Sequence, residues 1–146
     1  MKKAFGLISA LIVMLLVSTL LVAVAKFAFV SAKHTSDTYL IERGELFMQS
    51  AIENALLAIE GYDRKKNGNC LKYIHFTDSD KKFEANVTVL RYYCYNGDCG
   101  CSDASLVKSI ETPFSDGYVV LKIVVENNLS IFKKRIRLEK ITLQRP

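Results

Sequence analysis

Hydrophobic and polar positions change their spacing twice along this chain. From 4 to 25 there is no charged residue. At about 1.5 Å of rise per residue, a helix over this run is long enough to cross a hydrocarbon core of about 30 Å. Farther on, Leu40, Gly44, Phe47, Ala51, Ala55 and Ile59 recur three or four residues apart. That spacing lines one face of an amphipathic helix. Glu42, Arg43, Glu45, Glu53 and Glu60 lie largely off the stripe, no proline interrupts 1–112, and Gly61 follows the last periodic residue, where a helix prefers to end. The pattern predicts a nearly continuous helix over about 5–60, roughly 80 Å long, with half in a membrane and half outside. A membrane helix and a separate second helix, kinked near 31–37 where Ser, His, Thr and Asp collect, fits the same pattern.

From Tyr62 the period shortens. Residues 63–69 are a polar connection rich in turn residues, and 71–76 is short and strand-like. Phe83, Ala85, Val87 and Val89 alternate with Glu84, Asn86 and Thr88, the period-two pattern of a half-buried strand. Residues 118–125 are rich in β-branched side chains and predict a central strand, and 131–143 alternates imperfectly. Pro113 and Pro146 lie outside these strands, as the missing backbone donor requires. About four strands after one long helix predict an α+β fold, a small antiparallel sheet packed against the helix.

Composition divides at the same place. Half of the 146 residues are apolar, but 23 of them fall within the 29 positions 4–32, where Lys26 is the one charge. Such a chain reads as one membrane segment followed by one small domain, which argues against a fully soluble, a polytopic or a disordered protein. The formal net charge of +5 includes Lys2, Lys3 and Lys26, which flank or interrupt the apolar block. The balance left to the domain is too weak to argue for a nucleic-acid surface. Lys2 and Lys3 ahead of the span favour an N-terminus on the cytoplasmic side and an exported domain, with Lys26 and Lys33 behind the span keeping the charge difference small. The apolar run reads either as an uncleaved anchor or as a secretory signal peptide cut after Val30-Ser31-Ala32.

A third reading rests on the opening residues, Met1-Lys2-Lys3-Ala4-Phe5-Gly6-Leu7-Ile8-Ser9-Ala10. They resemble the start of a type IV prepilin or type II secretion pseudopilin. In that family a short basic leader ends in a small residue, usually Gly, ahead of Phe and a Leu-Ile pair. The resemblance implies that a prepilin peptidase cuts between Ala4 and Phe5 on the cytoplasmic side and methylates the new amine. It also implies a pilin-like layout. Residues 1–4 form the leader, 5–32 the transmembrane helix, 33–61 its periplasmic amphipathic continuation, and 62–146 an antiparallel β domain with disulfides. Two positions depart from the family: Ala4 replaces the usual Gly, and Ser9 replaces the usual Glu five residues into the mature chain. A carboxylate in lipid is costly unless partnered. Ser9 therefore points to a minor or tip-located subunit rather than a major repeating one. The implied partners are other pilin-like subunits, inner-membrane assembly proteins, prepilin peptidase and the membrane. The implied location is the bacterial inner membrane, single-pass, with the C-terminal domain in the periplasm.

Cys70, Cys94, Cys99 and Cys101 in an exported domain read first as two disulfides. The Asn96-Gly97 turn signal would bring Cys94 near Cys99 and leave Cys70 for Cys101. Cys94 with Cys101 and Cys70 with Cys99 is the alternative. A Cys99–Cys101 bridge would be strained. The spacing does not match a paired zinc motif, and a redox role would rest on Cys99-Gly100-Cys101 alone.

Asn86-Val87-Thr88 and Asn128-Leu129-Ser130 are sequons, with Glu84 and Glu126 two positions earlier. They resemble the extended acceptor of bacterial N-linked glycosylation, although ordinary exposed positions explain them as well. His34 and His75 lack a ligand or catalytic partner at a recognisable spacing, and Asp78-Ser79-Asp80, without the rest of a ligand pattern, reads as a solvated turn rather than a calcium loop. The basic run 133–137 could meet DNA or an acidic partner, and a guarded sheet edge explains it equally. No phosphate loop or nucleophile elbow is present, so no enzymatic activity, cofactor or metal is expected. The expectation is a minor pseudopilin or pilin-like subunit of a type II secretion, type IV pilus or DNA-uptake machine. The alternative is a single-pass anchored periplasmic binding or accessory protein that does not polymerise.

Overall fold

A computed structural model describes residues 2–101, 103, 105–132 and 134–146, with the backbone alone at 2–7 and Ser115. The fold is α+β. Its elements are α1 (Lys2–Gly61), α2 (Arg64–Asn67), β1 (Tyr73–Thr77), β2 (Phe83–Tyr95), β3 (Val107–Ile110), a 3₁₀ turn (Pro113–Ser115), β4 (Tyr118–Asn127) and β5 (Arg137–Gln144). The chain forms two compact units, Met1–Leu40 and Ile41–Pro146.

Through 31–37 the helix runs without a break, so 31–37 does not separate two distinct helices. Thr35 Oγ1 donates to the Ser31 carbonyl and Thr38 Oγ1 to the His34 carbonyl, both at 3.0 Å, so these poor helix formers satisfy their hydroxyls on the helix itself.

In the second unit, residues 41–61 of α1 cover one face of a five-stranded sheet of order β1-β2-β4-β5, with β3 added beside β2. The β1–β2, β2–β4 and β4–β5 pairs are antiparallel, and β3 joins β2 in parallel. The expected helical stripe faces the sheet at Gly44, Ala51, Ala55 and Ile59, widened by Met48 and Ile52. A Cβ at Gly44 would lie 2.9 Å from Leu138 Cδ1, so the absent side chain lets β5 approach the helix.

Phe83, Ala85, Val87 and Val89 face the core as their alternation predicts. The register then shifts between Val89 and Arg91. This bulge inserts one residue and reverses the phase, so Tyr92 and Cys94 stay buried although they are odd steps away. Val119, Leu121, Ile123 and Val125 of β4 continue the same buried face beside them.

Three expectations change. The strand at 71–76 is Tyr73–Thr77, and 63–69 contains the one-turn α2, capped by Asp63 and by left-handed Gly68. The strand expected over 131–143 begins only at Arg137. Buried Asn127 explains the late start. Its amide donates to the Lys134 carbonyl and accepts from Ile136 N, each at 2.7 Å, so it holds 134–136 as a loop.

Candidate functional site

The apolar run makes one candidate membrane span, within Ile8–Gly61, with mean hydropathy 2.8 in its most apolar window. Its large side chains point outward, from Ile8 (59% exposed) to Phe29 (78%). A helix apolar all round, with no protein over it, matches a lipid or partner-helix environment better than water. Its hydroxyls are satisfied internally: Ser18 Oγ donates to the Leu15 carbonyl and Thr19 Oγ1 to the Leu16 carbonyl, both at 2.9 Å. Ser9 is exposed on this helix. Ala4 and Phe5 lie on its first turns, and their side chains are outside the described residues, as is the whole of Met1 in the expected leader.

The cysteines pair as Cys70–Cys101 and Cys94–Cys99, with Cα separations of 5.3 and 5.4 Å. Local backbone chemistry selects this pairing. Asn96 (φ 53°) and Gly97 (φ 74°) both take left-handed conformations, and Asp98 N donates to the Tyr95 carbonyl at 3.2 Å. This is the tight turn that Asn-Gly favours, and it returns the chain so that Cys99 meets Cys94. All four cysteines are bonded. Beside them, Arg64 donates to the Cys99 carbonyl (3.4 Å) and lies over the Tyr92 ring (5.1 Å). Tyr92 donates to the Leu71 carbonyl at 2.7 Å, and burial pushes its phenol up to about 12. Lys72 pairs with Asp103 and, with the Ser105 hydroxyl, holds that carboxyl at about 2. These contacts gather α2, the approach to β1 and the loop after β2 around the two bridges.

The other candidates separate. Asn86 is exposed on β2, where its Oδ1 lies 2.8 Å from His75 Nδ1, and His75 Nε2 lies 3.2 Å from Thr77 Oγ1. Asn128 folds its amide back, donating to the Lys81 carbonyl (3.2 Å) and accepting from Ser130 N (2.9 Å). His34 is exposed on α1, remote from His75 in sequence and element. Asp78 and Asp80 face cations already present: Arg43 reaches them at 3.6 and 3.3 Å, and Lys82 reaches Asp80 at 2.7 Å. Lys82 is the main reason the Asp80 carboxyl is lowered. Among the described residues, no group of three or more His, Cys, Asp or Glu could hold a metal ion. Lys133 lies outside the described residues, while Arg135 and Arg137 pair with Glu126 at 3.2 and 3.6 Å. Sequence reasoning missed Asn127, whose signal was only its place at a strand end before a turn.

These features define an α+β chain with one candidate membrane span and a doubly disulfide-bridged domain. Comparison with protein-family models, curated proteins and solved structures finds no match.

Proposed function

We propose that this chain is a minor pseudopilin or pilin-like subunit. It is cut before Phe5, held in the inner membrane by its first helix, and presents its disulfide-bridged domain to the periplasm. Its work is mechanical. The apolar helix packs against other pilin-like subunits, and the domain offers the partner surface through which a short filament is joined or primed. The observation that supports this most is the double use of α1. One helix, Lys2–Gly61, supplies both the apolar run and the core-facing stripe at 44–59. A simple anchor has no need to be an integral part of the domain core.

Ser9 in place of a carboxylate fits a subunit that does not repeat many times, since no charge has to be neutralised by a neighbour's amine within lipid. The alternative, an anchored accessory protein that never polymerises, is separated by fractionation. The chain is coproduced with pilin-like partners and their inner-membrane assembly proteins, and sheared filaments are collected. Its presence in the filament fraction is expected. Its retention wholly in the membrane fraction would favour the accessory role. A periplasm-active reporter fused to the C-terminus tests the orientation.

A further inference from the structure

Two surfaces of the second unit are left without cover, and they match. The first is a ridge on α1. Glu42, Leu46, Glu53, Leu57 and Glu60 fall on one stripe, opposite the stripe that meets the sheet. Leu46 is 71% and Leu57 65% exposed. Between 44 and 61 the helix carries no Lys or Arg, and Arg43, at the start of the ridge, is turned to Asp78 and Asp80.

The second is a groove on the outer face of the sheet, about 430 Å³ in volume, lined by Tyr93, Ile110, Tyr118, Val120 and Leu143. Register explains why these residues meet. Tyr93 stands opposite Tyr118, Val120 opposite Leu143, and β4 presents alternate side chains away from α1. The rim is cationic. Arg91 is the cross-strand partner of Val120, and Lys108 is the partner of Tyr93. The Arg145 guanidinium lies 5.7 Å from the Tyr118 ring. Of the nearby carboxylates, Glu139 is offset by Lys122 (2.7 Å), while Asp116 accepts only from Tyr95 N (2.8 Å) and Glu111 follows Ile110, so the three cations of the rim stand against two formal negative charges.

A chain cannot fill its own groove. The ridge lies on the helix side of the sheet, facing away from it, and the groove lies on the opposite side. We infer that the acidic, leucine-bearing ridge of one copy docks into the basic-rimmed groove of a second copy. Leu46 and Leu57 would enter the apolar floor, while Glu42, Glu53 and Glu60 would meet Arg91, Lys108 and Arg145. This is helix-in-groove recognition with complementary charge. The contact is heterologous, joining two different patches. It goes beyond the proposed function, because it requires neither cleavage at Phe5 nor an assembly machine.

The test uses the full chain in mild detergent, followed by sedimentation velocity. Wild type is expected to associate, with at least about a tenfold weakening when salt is raised from about 50 mM to 500 mM. One variant reverses the ridge (Glu42→Lys, Glu53→Lys, Glu60→Lys), and another reverses the rim (Arg91→Glu, Lys108→Glu, Arg145→Glu). Each alone should remain monomeric. An equimolar mixture should recover association, because the ridge of one then matches the rim of the other. Circular dichroism and an absence of free thiols verify that both variants are folded. A Leu46→Ser, Leu57→Ser chain, which keeps every charge, should also lose association. A monomeric wild type, association that survives either reversal, or a mixture that stays monomeric would each overturn the inference. Groove-dependent binding of a single-stranded oligonucleotide or an anionic vesicle, without self-association, would overturn it as well.

Discussion

Opening Cys70–Cys101 should cost the domain more than opening Cys94–Cys99, by an amount that follows from chain length. The first bridge closes a separation of 31 residues and the second a separation of 5. On the loop-closure account these constraints are worth about 3.7 and about 2.1 kcal/mol, a difference of about 1.6 kcal/mol. Packing works against this order, because Cys94 and Cys99 are both buried whereas Cys101, the partner of buried Cys70, is half-buried, so the loop-closure difference has to exceed the contacts of one extra buried sulfur. The variants are the pairs Cys70→Ala with Cys101→Ala and Cys94→Ala with Cys99→Ala, which leave no unpaired thiol to reshuffle. Denaturant unfolding of the full chain in mild detergent, followed by tyrosine fluorescence because the chain has no Trp, gives the midpoints. They should fall in the order wild type, the Cys94/Cys99 variant, the Cys70/Cys101 variant. Equal losses, or a larger loss for the short loop, would refute the reasoning. The bridges would then act through native contacts rather than by restricting the unfolded chain.

Leu121, fully buried on β4, should cost about 3–5 kcal/mol on replacement by alanine, read from the same unfolding curves. Asn127→Ala removes both 2.7 Å hydrogen bonds that hold the loop before β5; it should cost about 2–3 kcal/mol and expose 134–136 to faster amide exchange, with Asn127→Asp recovering only the bond to Ile136 N. Tyr92, pushed up to about 12 by burial, binds its proton more tightly folded than unfolded. Its share of stability is therefore present below the ordinary tyrosine value near 10 and lost as pH rises through about 12. Alkaline difference spectra should show one late-titrating tyrosine, which disappears in Tyr92→Phe. The Asp103 carboxyl, held at about 2 by Lys72 and Ser105, has the opposite sign. Its contribution is present above the ordinary carboxylate value near 4 and lost as pH falls through about 2. Asp103→Asn should flatten the acid limb of stability against pH, and an unchanged limb would contradict that assignment.

The long helix is legible in the sequence because two signals extend it without a stop, an uncharged run and then a stripe at helical spacing. Nothing local breaks it at 31–37, since Thr35 and Thr38 return their hydroxyls to the helix. The first half of β2 is equally plain. Its continuation is not, because the bulge between Val89 and Arg91 reverses the phase that alternation relies on. Strand β3 is invisible for another reason. Four residues pair in parallel with β2, and only that tertiary partner makes them a strand. The apolar and basic residues at 131–136 mimic a strand, but the Asn127 side chain takes the Lys134 carbonyl and Ile136 N. Cysteine spacing leaves the disulfide pairing open, and the Asn96-Gly97 turn decides it. The charge match between the α1 ridge and the outer groove has no sequence signature at all, since it depends on which face of each element is left uncovered.

The pilin-like account stands most directly on the mature N-terminus. The full chain should be purified from membranes containing prepilin peptidase, and from membranes lacking it, and its N-terminal peptide identified by mass spectrometry. A chain beginning at methylated Phe5 in the first case and at Met1 in the second is the predicted result. Met1 retained in both, or a start at Lys33 from signal-peptide cleavage after Ala32, would contradict it.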